Sequence, residues 1–367
     1  ESGMYISFDD GLSWKSFQLN LPIVPITDLT IKENSLIVAT QGRSIWILDD
    51  LTVLHQLNKE MDNSEIILFK PKDSYRYKGS EIGLAVKFIN SDEPKPLTKG
   101  INLPNGSIIN FYLKNYNKKR DTIKLSFSDK KGNLIKSFSN YSDKNKLELK
   151  KGGNQIVWDT RYNGAETIEG MIFWSASFKG PKAVPGDYIV TLEKNNLKDS
   201  QQFTILPDPR SEASVSDIKL QFDFVNEVNQ TVDKAHKTIK SIRSINKKLK
   251  EFEENYSDKS SEKLIEFSRN LRKSFSEIEK TLYQTKNRSN QDPLNFPIKL
   301  TNKLAHLNRL VTLNDFSPTN QDLMVKNELS NLIQVELNKY DNLIENDLKK
   351  FNEEFSELEL NYLIIKK

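Results

Sequence analysis

The chain has 367 residues, enough for two or three domains with their own cores. Its 54 basic and 50 acidic residues leave a net charge of +4, and the basic residues alternate with acids, so no nucleic-acid partner is indicated. The absence of cysteine excludes disulfides and thiolate metal sites. No apolar run approaches the roughly 18 residues that a membrane helix needs, so we expect no membrane span.

The first residues have the pattern of a β-strand. Residue 1 is Glu and not Met, and alternating apolar residues begin at once in Met4–Phe8. We therefore expect the chain to be the C-terminal part of a longer protein. Any targeting signal would then lie on the missing part.

A turn motif follows this strand, with the spacing Ser7-x-Asp9-x-Gly11-x-x-Trp14. A carboxylate at such a turn can accept backbone N–H bonds, and glycine tolerates the dihedral angles that the turn requires. The spacing resembles the Asp-box, or BNR repeat, of sialidase-type and sortilin-type β-propellers. Asp9 could be a glycosidase carboxylate, but a structural role in the turn is favoured because Asx-turns work in this way.

Further β-like runs cover residues 14–18, 26–32, 35–40 and 44–48. They amount to about one propeller blade and one extra strand, whereas a propeller needs at least about four blades to close. Open strand edges pair readily with other chains. We assign residues 1–64 to this region and expect upstream blades of the same protein to be its partner. We predict that residues 1–57 do not fold well alone.

The stretches Leu21–Leu29 and Val38–Asp50 resemble the closing blade of large bacterial BNR-repeat glycosyl hydrolases, relatives of the sortilin N-terminal propeller. In that family a His usually precedes the Gly-Arg-Ser, and here Gln41 takes its place, which weakens any proposal of a catalytic base. Arg43 is a possible ligand contact for an anion. A structural arginine that holds the closing strand is the favoured interpretation.

Residues 65–207 predict an immunoglobulin-like β-sandwich, from short alternating runs separated by turns. The resemblance to the same family continues here, through Trp158–Tyr162 and Gly170–Trp174. The predicted strands are residues 82–88, 107–113, 122–128, 134–139, 146–150, 155–158, 171–178, 187–192 and 200–206.

Trp158 and Trp174 are possible ligand contacts, since aromatic side chains can stack on sugars. Aromatic residues at strand spacing are more often core, because each buries a large area. A glycosidase needs two carboxyl groups about 5 to 10 Å apart. The sequence gives no sign that Asp159, Glu166, Glu169 and Asp187 converge, so we predict no catalytic residue among them.

Residues 208–367 predict an antiparallel bundle of long amphipathic helices. The expected helices begin near Ser214 or Ser216, near Ser260, at Pro297, and at Pro318 or Thr319. The isolated histidines lack ligand-type neighbours, so we predict neither a metal site nor a cofactor. This region also resembles the C-terminal end of the same family.

The predicted fold is therefore β followed by α: a terminal propeller-blade remnant, a sandwich and a helical bundle. The resemblance implies a secreted, periplasmic or cell-surface protein. We expect this part to be a non-catalytic scaffold that docks an upstream propeller, which binds or cleaves extracellular glycan or protein. Two alternatives stay open: an active glycoside hydrolase with catalytic residues in upstream blades, and a sortilin-like peptide-binding protein.

Overall fold

The computed structural model describes residues 3–57, 63–76, 100, 104–256 and 262–357. The architecture is β followed by α, as predicted. The chain divides into two compact units. The first, or β unit, comprises Glu1–Thr160 and Pro185–Asp208, and the second, or helical unit, comprises Arg161–Val184 and Pro209–Lys367.

The N-terminal part of the β unit contains two small antiparallel sheets. A two-stranded hairpin pairs β1 with β2, and a three-stranded meander has the order β3-β4-β5. A short helix, α1, follows the meander. The bounds are β1 Tyr5–Ile6, β2 Lys15–Ser16, β3 Ile26–Lys32, β4 Ser35–Thr40, β5 Ile45–Leu48 and α1 Thr52–Gln56.

The rest of the β unit contains two further sheets among the described residues. One has five strands in the order β10-β9-β12-β13-β7, and the other has three in the order β11-β8-β6. All neighbours are antiparallel except β13 and β7. The bounds are β6 Ile66–Leu68, β7 Ser74–Arg76, β8 Ser107–Leu113, β9 Ile123–Asp129, β10 Leu134–Ser139, β11 Gly152–Trp158, β12 Gly186–Lys194 and β13 Leu197–Pro207.

Trp158 joins these two sheets at the centre of the β unit. Its ring, which is fully buried, stacks on Phe127 of the five-stranded sheet with ring centroids 4.4 Å apart. Tyr188 and Phe203, on β12 and β13, contact the same ring edge-on. Aromatic packing of this kind adds to the burial of apolar area, and it joins the two sheets in a chain that has no cysteine.

Two predicted strands are wrong. Residues 146–150 make only a single bridge, between Ser139 and Lys146. Residues 171–178 form no strand, because helices of the helical unit bind their main chain. The predicted strand at residues 82–88 lies outside the described residues.

The helical unit contains the long helices that the sequence predicts. The first of them begins with a capping box, in which Ser214 and Asp217 bind each other's backbone N–H, and Thr319 and Asp322 do the same at a later helix. The bounds are α2 Val215–Asn255, α3 Glu262–Leu282, α4 Leu300–Val311, α5 Asn320–Asn342 and α6 Lys349–Glu357, with a π-helical turn at Leu343–Leu348.

The core of the helical unit lies between these helices. Fully buried side chains line one face of α2 and meet apolar side chains of α3, α4, α5 and α6. In the described part of the chain, no helix is sufficiently long and apolar to cross a membrane. Central members of the core are Val232, Ile239, Leu249, Phe275, Leu304 and Phe351.

Residues 161–184, which we call the strap, connect β11 to β12 in sequence and belong to the helical unit. The two ends of the strap meet in a narrow neck, where Arg161 pairs with Lys182 and Tyr162 N–H donates to the Pro181 carbonyl at 3.0 Å. Glycine is needed there. A Cβ on Gly164 would lie 1.9 Å from the Phe178 carbonyl oxygen, and one on Gly180 would lie 2.0 Å from that of Tyr162.

Candidate functional site

The Asp-box segment forms a compact turn between β1 and β2. Asp9 accepts bonds from the Ser7 hydroxyl at 2.8 Å and from the Ser13 N–H at 2.8 Å, and Gly11 N–H donates to Ser7 Oγ at 2.8 Å. Gly11 has φ +89°, and Trp14 donates its indole N–H to the Gly11 carbonyl at 3.0 Å. The Asp9 carboxylate is thus engaged by the turn itself.

The hairpin that carries this turn exposes several large apolar side chains. Tyr5 and Phe8 are more than half exposed, and Leu12 is 89% exposed. Trp14 packs its ring against Gly11 and is otherwise exposed. Apolar residues that are exposed singly are normal on protein surfaces, and these four lie within the β1–β2 hairpin.

The β3–β5 sheet exposes apolar side chains on both faces. Side chains that lie opposite each other in the strand register share a face. Leu29 pairs with Val38, and Val38 with Trp46, so these three define the first face, to which Ile31 also belongs. On this face Leu29 is 51% exposed and Ile31 is 63% exposed.

The second face of the same sheet carries Ile37, Ile45 and Ile47, since Ile37 pairs with Ile47 and Ala39 with Ile45. Ile45 is 65% exposed and Ile47 is 58% exposed. An antiparallel sheet with one wet face alternates apolar and polar residues. In this sheet β5 carries exposed apolar side chains on the second face beside Ile37 of β4, while β3 contributes Asp28, Thr30 and Lys32 to that face.

The possible ligand contacts named from the sequence belong to different parts of the chain. Arg43 is exposed, and its backbone carbonyl accepts the indole N–H of Trp46 at 2.9 Å. Trp158 lies in the core of the β unit with no exposed surface, so it cannot stack on a ligand without unfolding. Trp174 belongs to the strap and is 39% exposed.

Three of the four acidic candidates form ion pairs with lysines. Asp159 contacts Lys136 at 3.2 Å, Glu166 contacts Lys240 at 3.2 Å, and Asp187 contacts Lys130 at 2.5 Å. The hydrogen bond from Lys130, together with one from Thr204, lowers the pKa of Asp187. A glycosidase general acid needs a raised pKa, so this shift has the opposite direction.

The two histidines of the helical unit hold main-chain carbonyls. His236 Nδ1 lies 2.5 Å from the Glu166 carbonyl oxygen, and His306 Nδ1 lies 2.7 Å from that of Ser175. Within the described ranges, no three His, Cys, Asp or Glu side chains cluster in a way that could hold a metal ion.

Sequence reasoning missed a set of buried asparagines in the helical unit, namely Asn229, Asn302 and Asn308. All three contact the strap. A signal was present, because Asn229 lies at apolar helix spacing between Val225 and Val232. The side chain of an asparagine at such a position is buried, so its amide must form hydrogen bonds within the protein.

The chain matches no protein-family profile and no curated protein. One solved structure, titled pT26-6p, is 12% identical to it, with a TM-score of 0.13. The match covers 66% of this chain and 46% of that one, so the chain spans less than half of that neighbour's length. A likeness this low carries no argument about fold or function.

Proposed function

We propose that the chain is the non-catalytic C-terminal scaffold of a secreted BNR-repeat propeller protein, and that its β3–β5 sheet docks against further propeller blades. In this proposal the sheet is the last blade of the propeller. The face-to-face sheets of the β unit form an immunoglobulin-like sandwich that follows the propeller. The upstream blades would bind or act on extracellular glycan or protein.

The observation that carries the proposal is the exposure of apolar side chains on both faces of the β3–β5 sheet. A propeller blade packs both of its faces against neighbouring blades, whereas a sheet at the edge of a sandwich needs only one dry face. Leu29 and Ile31 on one face, and Ile45 and Ile47 on the other, fit the first case. The Asp-box spacing and the hydrogen bonds of its turn add independent support.

The hydrogen bonds and ion pairs of the carboxylates support a non-catalytic role. Asp9 accepts its hydrogen bonds within its own turn, and Asp187 pairs with Lys130. The pKa of Asp187 is lowered, whereas a glycosidase acid requires a raised one. The catalytic groups of any hydrolase activity would then come from upstream blades.

The direct test of docking is a titration. The chain is mixed with the separately expressed polypeptide that the same gene encodes before Glu1, and complex formation is followed by calorimetry. We expect a complex that Ile45→Lys weakens at least tenfold, about 1.4 kcal/mol, because a charge would be placed in an apolar interface.

The matched control is Leu134→Lys, since Leu134 is 62% exposed and lies on β10 of the five-stranded sheet. It should leave binding unchanged. No complex with the unsubstituted chain, or equal weakening by the two substitutions, would overturn the proposal.

A further inference from the structure

Helix α5 carries a stripe of exposed residues with the spacing of a helix–helix contact. The stripe, which we call the α5 stripe, comprises Val325, Glu328, Leu332, Val335 and Lys339. Val325 is 41% exposed, Leu332 is 46% exposed and Val335 is 50% exposed. Residues that follow one another at alternating steps of three and four lie on one side of a helix and can form the seam of a coiled coil.

Helix α3 of the same unit has the exposed side that solvent normally selects. All of its exposed residues are polar and most are charged, including Lys263, Glu266 and Arg269. Helix α5 instead has apolar residues on its buried side, such as Ile333 and Leu337, and again on the α5 stripe. A helix that is apolar on more than one side is normally covered on more than one side. The α5 stripe therefore has the composition of a contact surface.

The order of residues along the α5 stripe is symmetric, with opposite charges at equal distances from its middle. Leu332 and Val335 lie at the middle, Glu328 precedes Leu332 by one turn, and Lys339 follows Val335 by one turn. A second copy of the helix that runs in the opposite direction exchanges the two ends. Glu328 of each copy then meets the Lys339 of the other, and Leu332 meets Val335. A two-fold contact uses the same patch of both copies in this way.

Both charged groups are accessible for such a contact. Glu328 is exposed and forms no ion pair with any residue that the structure describes. Lys339 Nζ lies 2.7 Å from Glu336 Oε1 of its own helix, and the Lys339 side chain is still 59% exposed. Because a lysine ammonium group has three N–H donors, Lys339 can bind a second carboxylate while it keeps the first.

We infer that the α5 stripe is a self-association surface, on which two copies of the chain pair their α5 helices antiparallel about a two-fold axis. The charges favour this direction, because a parallel pair would place Glu328 opposite Glu328 and Lys339 opposite Lys339. A contact of one helix from each copy is small, and small interfaces give weak dimers. The surface belongs to the helical unit, so it is independent of the proposed docking of blades on the β3–β5 sheet.

The first test is sedimentation equilibrium of the chain from about 1 µM to about 500 µM, a range that covers weak as well as tight dimers. We expect a monomer–dimer equilibrium that Leu332→Lys weakens at least about tenfold, because a charge would be placed at the centre of the contact. Leu220→Lys is the matched control, since Leu220 is 57% exposed on α2, and it should leave the dimer unchanged. A chain that stays monomeric over the whole range, or equal dimerisation of the two variants, would overturn the inference.

Charge reversals test the antiparallel direction. Glu328→Lys and Lys339→Glu should each weaken self-association, because like charges would then face each other twice. An equimolar mixture of the two variants should associate at least about tenfold more tightly than either variant alone, because every contact of the mixed dimer joins a lysine to a glutamate. No recovery in the mixture would contradict the antiparallel pairing.

Circular dichroism checks that the charge variants keep their helices, since Lys339→Glu also removes the partner of Glu336. If that variant loses its helical signal, Lys339→Gln takes its place. Its mixture with the Glu328→Lys chain should still associate more tightly than the Glu328→Lys chain alone, because one pair of opposite charges is restored. Equal association of the mixture and of the Glu328→Lys chain would contradict the inference.

Discussion

Asn302 on α4 makes a pair of hydrogen bonds with the main chain of Trp174, one accepted from the N–H at 2.7 Å and one donated to the carbonyl at 2.8 Å. The asparagine is 5% exposed. Its amide thus satisfies two main-chain groups of the strap at once. The strap has no strand partner over residues 171–178. The two bonds to Asn302 therefore satisfy main-chain groups that a neighbouring strand would satisfy in a sheet.

Asn302→Ala should destabilise the chain by about 1–3 kcal/mol, because two main-chain groups lose their partner at once. Urea denaturation of the helical signal measures this change. Asn338→Ala is the control, since Asn338 is exposed on α5 and should change stability by less than about 0.5 kcal/mol. Equal effects of the two substitutions would show that the Trp174 pair does not stabilise the fold.

The neck of the strap gives a second prediction. Gly180→Ala would place a Cβ 2.0 Å from the Tyr162 carbonyl oxygen, so the two limbs of the neck must separate. We expect a loss of about 1–3 kcal/mol in the free energy of unfolding, as for other overpacked sites. Gly153→Ala is the matched control, because nothing lies within 4 Å of its Cβ position. A Gly180→Ala chain as stable as the control would refute the close approach.

His236 predicts how stability depends on pH. Its ring is fully buried and Nε2 has no hydrogen-bond partner among the described residues, so burial lowers the pKa of His236 below its ordinary value of 6.5. The native state therefore keeps His236 neutral at a pH where the unfolded chain protonates it. Stability should be full above pH 6.5 and fall as the pH drops toward the lower, native pKa, by up to about 1.4 kcal/mol per pH unit.

The measurement is the free energy of unfolding in urea from pH 8 to about pH 5. His236→Asn keeps an N–H that can donate to the Glu166 carbonyl but does not titrate, so its slope over this range should be smaller by the contribution of one proton. The same slope in the two chains would assign the pH dependence to other groups.

A fourth prediction concerns the turn between β1 and β2, where Asp9 accepts the Ser13 N–H. Asp9→Ala removes the acceptor of the Ser13 N–H and should make that amide exchange several-fold faster with solvent. Asp9→Asn keeps an acceptor oxygen and should retain most of the protection. Equal exchange in the two variants would mean that the carboxylate does not hold the turn.

The sequence predicted those elements whose pattern of apolar and polar residues matches their burial in the structure. The long helices and their capping residues follow from apolar spacing and from Ser214 and Thr319. The alternating strands around Trp158 were likewise visible. The strap was misassigned because Trp174 and Phe178 have strand-like spacing, while the groups that bind the main chain of Ile172 and Trp174 lie more than 100 residues later.

The apolar faces of the β3–β5 sheet were only partly predictable. Strand positions and open edges could be inferred from the runs at 26–32 and 35–40, but exposure on both faces needs the register of all three strands. Single-residue shifts move a side chain to the other face. The bulge between Ile26 and Asp28 is such a shift, and periodicity alone did not locate it.

Thiol labelling tests the proposal that neighbouring blades cover both faces of the β3–β5 sheet in the intact protein. The chain has no cysteine, so Ile31→Cys and Ile47→Cys each introduce a single thiol, on opposite faces of the β3–β5 sheet. Leu134→Cys is the control, with an exposed fraction of 62% beside 63% for Ile31 and 58% for Ile47. Each variant is labelled in the present chain and in the protein expressed from the complete reading frame.

We predict that the Ile31→Cys and Ile47→Cys thiols react at least about tenfold more slowly in the longer protein than in the present chain. The Leu134→Cys thiol should react equally fast in the two proteins. Equally fast labelling of all three thiols in the longer protein would show that the two faces stay exposed, and would contradict the docking of further blades.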